Sequence, residues 1–405
     1  MTTPEPEIEV DEDPEIPEMT PGDEMRRRML LFLLTGLVIA TIGVGVVFAR
    51  YILKPQPLPE MLIPPSLGSC SEPGYKFSIN NIDGPVSVAV SPDNQRVYAA
   101  ESGEDRMVKM YDRDGNLVTN FAPPGTDKAN REPKYMAVGP DGRVYLVDRT
   151  SSAIDIYDQD GNFIDAIIGQ QMTLSKYVAS HIGMSVKGIT FAHYDGISHK
   201  LTYQLPGQVS KNIIVNFADD EAQWGPLGLR FDASGDLLYT DTTSGLHSIH
   251  IIPAADLKNP LSSFAPVIKE FGAQGTGNSQ FDFPQSVVID GTGNYYVSDG
   301  NNSRISVWTP DLKYKTFFGY GTAEGALNLP RGLWLVRNCL YVADAVGAVI
   351  RVYDVSGTEP SFAYEIGSFG LTEGKFNYPV DIAIDGTGRL YIADRANNRI
   401  QVWSH

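Results

Sequence analysis

From Gly74 to the C-terminus, short apolar runs alternate with polar turns rich in Gly, Asp and Asn, and the runs keep returning in one order. A proline opens an apolar strand, an Asp-Gly turn follows, a second apolar strand ends on Asp, and a polar turn leads into a third, alternating strand. The clearest copies are Pro284–Asp290, Gly293–Asp299 and Arg304–Trp308, matched step by step by Pro379–Asp385, Gly388–Asp394 and Arg399–Trp403. Runs of this length, bounded by turn residues and rich in Val, Ile and Tyr, form strands. A four-stranded sheet that is apolar on both faces must stack on neighbours to bury them, and radial stacking closes a disc.

The opening prolines are Pro85, Pro133, Pro226, Pro284, Pro330 and Pro379, and the step from Pro133 to Pro226 is nearly twice the others. Strand-like runs Tyr177–Ile182, Val186–His193, Lys200–Leu205 and Ile213–Phe217 fall inside it, enough for one irregular unit. The pattern therefore predicts an all-β propeller over residues 75–405 with seven four-stranded blades, or six if that stretch is not a blade. The last unit ends at Trp403, one strand short, while Tyr75–Asn80 is a stray strand ahead of the first. The N-terminal strand is expected to complete the last blade.

The first 74 residues read differently. Residues 1–28 carry ten acidic residues against three arginines, with many prolines and little apolar surface, which predicts a disordered acidic tail. Met29–Ala49 has no charge over a length that spans a bilayer core, so a transmembrane helix is expected there. Arg26, Arg27 and Arg28 just before it place the N-terminus in the cytoplasm and the propeller outside, at a cell membrane. Residues 50–74, with Pro55, Pro57, Pro59, Pro64 and Pro65, read as an extended stalk.

The connector Phe271, Gly272, Gly275, Gly277, Phe281 and Pro284 leads to a turn of the form Asp-x-x-Asn-x-Arg-Ile at Asp299, Asn302, Arg304 and Ile305. Asp394, Asn397, Arg399 and Ile400 repeat the turn. Together these segments resemble the NHL repeat, with degraded copies starting at Glu101, Asp148, Asp241 and Asp344. The resemblance implies a propeller that presents variable loops to a protein or glycan ligand. Asp299, Asn302, Arg304, Asp394, Asn397 and Arg399 are assigned to turn structure, because a strand-end carboxylate that recurs in every unit satisfies turn N–H groups.

Net charge is −17, from 32 basic and 49 acidic residues. That balance argues against a nucleic-acid partner, whose phosphates demand Lys and Arg. The loop face that carries the inter-blade connectors holds many acidic residues, Glu101, Glu104, Asp105 and Asp282 among them, and is expected to be an acidic rim. The candidate ligand contacts there are Glu101, Asp105, Asp148, Arg149, Arg331, Asp381 and Arg395.

No nucleophile motif or phosphate loop occurs. His193, His199, His247 and His250 lie in adjacent units, but His247 and His250 are three apart and would face opposite sides of a strand. NHL-like propellers include an amidating lyase with a zinc-binding His just after the blade-opening proline; here those places hold Val86, Lys134, Leu227, Gln285, Arg331 and Val380. No catalytic residue and no metal is assigned, and calcium or zinc in the channel belongs to the alternative of a lactonase- or lyase-type enzyme. A further alternative is a sensor that signals through the single span. Cys70 and Cys339 are the two cysteines, and propeller topology brings both toward one face in neighbouring blades, leaving a disulfide open.

Overall fold

The computed structural model describes residues 70–122, 126–150, 153–168, 190–195, 200–204, 211–214, 225–258 and 269–405. The acidic tail, the 29–49 span and most of the stalk lie outside the described residues, and among the described residues no helix is long and apolar enough to cross a membrane.

Six four-stranded antiparallel sheets form a closed ring. Their innermost strands, lettered a, are Pro85–Val90, Pro133–Val138, Pro226–Phe231, Pro284–Ile289, Pro330–Val336 and Pro379–Ile384, which define blades 1 to 6. Each a strand packs against the next, and the last packs against the first. Strands b, c and d follow outward in chain order within each blade, except that strand d of blade 6 is Gly74–Ile79. It pairs antiparallel with Arg399–Ser404, from Gly74 opposite Ser404 to Ile79 opposite Ile400, so the two chain ends close the ring as the stray strand predicts. Cys70, just ahead of this strand, is bonded to Cys339 at the start of strand b of blade 5, with Cα atoms 5.6 Å apart.

The expectation of seven blades is corrected to six. Blade 2 and blade 3 meet directly through Pro133–Val138 and Pro226–Phe231, leaving no gap in the ring for another. The intervening stretch forms a three-stranded sheet, Thr190–Asp195, Lys200–Gln204 and Lys211–Ile214, whose first strand packs beside the outer strand of blade 2, Phe163–Ile168. Tyr177–Ile182 lies outside the described residues. The sheet is an appendage on the rim because no proline-led strand in it reaches the axis.

Apolar residues on both faces of each blade are what close the ring. Val88, Val97 and Tyr111 of blade 1 share a cluster with Ala383, Tyr391 and Ile400 of blade 6, and Tyr341 and Ile350 of blade 5 share another with Ile382 and Ile392 of blade 6. Fully burying one such side chain contributes about 1.5–3 kcal/mol, so every blade-to-blade seam is a core in itself. At the a–b hairpins a second recurrent Asp sets the turn. Asp290 Oδ1 accepts from the N–H groups of Thr292 and Asn294 at 2.8 and 2.9 Å, and Asp385 repeats this with Thr387 and Arg389. Gly293 and Gly388 follow with φ of 88° and 90°, a conformation that L side chains disfavour.

Candidate functional site

Each blade-opening proline starts its strand at the connector face, so the residue after it points into the axial opening. Those six residues, Val86, Lys134, Leu227, Gln285, Arg331 and Val380, line one cavity of about 320 Å³ together with Tyr135, Arg149, Phe283, Asn301 and Arg395. Val86, Leu227, Val380 and Tyr135 are buried and make an apolar floor, while Arg149, Arg395 and Asn301 are exposed at the mouth. Arg149 and Arg395 stand there because each directly follows the Asp that ends strand b.

The channel below is plugged. Arg230 of blade 3 crosses the axis to Asp381 of blade 6, with Nη2 2.6 Å from Oδ1, and both side chains are buried. Arg230 Nε also donates to the Leu333 carbonyl at 3.2 Å, and its guanidinium lies over the Trp334 ring, 5.4 Å from the centroid. Asp381 Oδ2 accepts from Ser87 Oγ at 2.6 Å and the Val88 N–H at 3.2 Å, and Ser87 Oγ in turn accepts the Met136 N–H. Glycines make room for the crossing: a Cβ on Gly332 would lie 2.4 Å from Asp381 Oδ1, and one on Gly228 2.0 Å from the Gln285 carbonyl. The cavity is therefore a cup open at one face.

Two aromatic residues at the cup sit in the left-handed region immediately before a proline, Phe283 with φ 54° and Tyr378 with φ 61°. Bulky residues there are strained and persist only where surroundings enforce them. Phe283 is held by its N–H on His247 Nδ1 at 3.3 Å and by ring contact with that histidine. The Tyr378 hydroxyl accepts Arg331 Nη2 at 3.0 Å, while Arg331 Nη1 donates to Gln285 Oε1 at 2.7 Å.

The sequence-based candidates separate into four groups. Arg149, Arg331 and Arg395 come together at the cup. Asp381 is consumed by the plug. Glu101 and Asp148 are buried strand-end carboxylates, Glu101 bridged to Lys109 at 2.9 Å and Asp148 accepting the N–H groups of Glu132 and Thr150. Asp105 is exposed and offers its carbonyl to Arg131. On the acidic rim Glu104 is tied to Lys128 at 3.1 Å, while the cup itself is lined by no carboxylate. Sequence reasoning passed over Lys134, Tyr135, Phe283, Gln285 and Asn301 as contacts, although the residues after the prolines were already visible as a ring of equivalent positions.

At the repeated turns, Asp299 Oδ1 accepts the Asp282 N–H at 2.6 Å, and Oδ2 accepts Asn302 Nδ2 and Arg304 Nε, each at 2.8 Å. Arg304 Nη2 continues to the carbonyls of Gly277 and Gln280. Asp394, Asn397 and Arg399 repeat the arrangement, with the N–H supplied by Asn377. The backbone donor in these two blades comes from the preceding connector and not from the residues that follow the Asp, so the turn also fastens the connector.

A divalent cation does not fit the cup: its lining offers cations, apolar groups and two neutral amides, and one of these, Gln285 Oε1, is already engaged by Arg331. Among the described residues no group of three His, Cys, Asp or Glu side chains comes together. His247 and His250 are each buried in separate contacts, His250 stacked on Tyr239 at 4.8 Å with its imidazole pKa lowered by burial. The side chains of His193 and His199 lie outside the described residues.

The molecule is thus a six-bladed propeller with a plugged axis and a cationic cup. The NHL repeat model matches residues 281–308 and 376–403, the parts of blades 4 and 6 that carry the complete turns. Over 150 residues the chain is 27% identical to NHL repeat-containing protein 3 of Mus musculus, a match covering 36% of this chain and 29% of that protein. Over 181 residues it is 29% identical to peptidyl-glycine alpha-amidating monooxygenase of Mus musculus, covering 42% of this chain and 18% of that one. These matches therefore span less than a third of either relative. Among solved structures, a streptogramin B lyase superposes with a TM-score of 0.50 at 12% identity, over 82% of this chain and 99% of that chain, a likeness of fold. The chain is a six-bladed β-propeller whose blades 4 and 6 match the NHL repeat.

Proposed function

We propose that this propeller is a binding module, anchored in a membrane by the 29–49 segment and displayed outside the cytoplasm, that takes its ligand in the axial cup. The observation that carries the reading is the cup itself: an enclosed floor, a strained aromatic, Phe283, at its wall, and two exposed guanidiniums, Arg149 and Arg395, without a side-chain partner among the described residues. The Cys70–Cys339 bond supports an oxidising compartment. It also sits on the face opposite the cup. The enzyme alternative has less support, because the post-proline ring lacks the histidines that lyase chemistry would need there.

The test is site-specific photo-crosslinking of the full chain on intact cells, with benzoylphenylalanine at Asn301 in the cup or at Thr358 in a lateral cleft between blades 4 and 5. Intact-mass adducts are expected from position 301 only. Adducts from neither position, or equally from both, would overturn the assignment of the cup.

A further inference from the structure

We propose that the cup takes a small ligand bearing a carboxylate or phosphate group. The anion sits toward Arg149, Arg331 and Arg395, and the uncharged remainder lies toward Leu227, Phe283 and Gln285. The inference rests on reading the cup as the binding site and adds the chemistry of what enters it.

The charge balance is the first argument. In a chain with 49 acidic residues against 32 basic ones, the cup is lined by Lys134, Arg149, Arg331 and Arg395 and by no carboxylate. Lys134 is neutralised by Glu132 at 2.5 Å. The three arginines are not. Arg331 is held only by neutral groups, the Gln285 amide and the Tyr378 hydroxyl, and its Nε is buried without a partner. By contrast, the buried or half-buried Arg230, Arg304, Arg351 and Arg399 are each set on a carboxylate. Guanidiniums clustered without counter-charge repel one another, and an oxyanion relieves that repulsion through charge-assisted, often bidentate hydrogen bonds.

The arrangement around the ring is the second argument. Blades 2, 5 and 6 supply the cations, while blades 3 and 4, on the other side, supply Leu227, Phe283, Gln285 and Asn301. Such a polarised cup suits a molecule charged at one end. Its volume of about 320 Å³ lies at the small end of small-molecule sites, which fits a compact acid or the terminus of a longer chain. The plug and apolar floor keep bulk water on one side only, so each charge contact is screened less than at an open surface. Arg331 is pre-set by its two neutral partners and by the Tyr378 ring, 5.8 Å away, so little of its freedom is lost when the anion arrives.

The experiment is isothermal titration of the full chain in lipid nanodiscs with phenylacetate, phenyl phosphate and the neutral phenylacetamide. One or both anionic probes should bind with one-to-one stoichiometry, weaken as salt is raised, and exceed phenylacetamide by roughly tenfold or more, the scale of one charge-assisted contact. The stronger of the two anions then identifies the oxyanion. Arg149→Gln and Arg395→Gln, both exposed, should each lose several-fold in affinity with unchanged thermal unfolding, whereas Lys315→Gln in the lateral cleft should lose nothing. Equal binding of phenylacetamide, binding of no probe, or full affinity in both arginine variants would overturn the inference. If position 301 still gives crosslinked adducts in that event, the cup stands as a binding site and only its preference for anions falls.

Discussion

One register position shows how single residues tune a repeated frame. In strand c, the residue paired with the position two before the strand-end acid is Lys109, Asp155, His250, Ser306, Arg351 or Gln401 in blades 1 to 6. Lys109, Arg351 and Gln401 contact the strand-end acid of their own blade at 2.9–3.3 Å, and His250 lies 3.9 Å from Asp241. Blade 4 instead gives that role to Arg304. Blade 2 alone places a second acid there: Asp155 is fully buried, and among the described residues neither carboxylate oxygen has a hydrogen-bond partner. Burial first, and the charge of Asp148 second, push its pKa well above the ordinary 3.8. The native state therefore keeps a proton that the unfolded chain releases. The stability linked to that proton is full below the unfolded carboxylate range and is lost as pH rises through the folded value. Asp155→Asn removes the penalty with little change in volume. Its melting temperature should exceed that of the parent chain at pH 7.5, by roughly 2 °C for each kcal/mol relieved, and the difference should close near pH 4. A pH-independent difference in scanning calorimetry would mean that the proton is not the cause.

At the scale of elements, the repeat made strands, hairpins and the seam legible, because proline, Asp-Gly and the alternating third strand each mark a fixed place in a blade. Blade number was harder to read, since the stretch after blade 2 has strand-like runs, and runs alone do not say whether a sheet reaches the axis. What distinguishes it is the missing proline-led strand: blades 2 and 3 touch without it. The ring should therefore not need the appendage. Replacing residues 169–224 with the blade 5-to-6 connector sequence, residues 367–378, joins Ile168 to Gly225 with a link that already spans neighbouring blades. The shortened chain should keep a single cooperative transition within a few degrees of the parent and keep its sheet signal in circular dichroism. Loss of the transition would show that the appendage holds blades 2 and 3 together. The cup was partly legible for the same reason: the post-proline positions form a ring in any propeller, but which of them carry charge without a partner depends on contacts from other blades. Arg331 shows this, with its partners Gln285 in blade 4 and Tyr378 just ahead of blade 6.

Blade count also decides what can meet across the whole molecule. In a ring of six, blades 3 and 6 face each other, so Arg230 and Asp381 can join through the axis; with a seventh blade they would not be opposite. Asp381, read from sequence as a ligand contact on the loop face, is for this reason a strut between two halves of the disc. Its carboxylate accepts from Arg230, Ser87, Val88 and Ile382, tying blades 1, 3 and 6 together below the cup floor. Buried pairs of this kind cost much to desolvate, and their removal as a pair is far cheaper than the loss of one partner. Asp381→Asn should thus destabilise the chain by about 3–5 kcal/mol, because the Arg230 charge remains buried without its counter-ion. Arg230→Met added to Asp381→Asn removes that stranded charge while Asn keeps an oxygen for Val88 and Ser87, so the double variant should be the more stable of the two. Chemical denaturation of the parent, Asp381→Asn, Arg230→Met and the double variant measures this. Simple additivity of the two changes would show that Arg230 and Asp381 do not act as one strut across the ring.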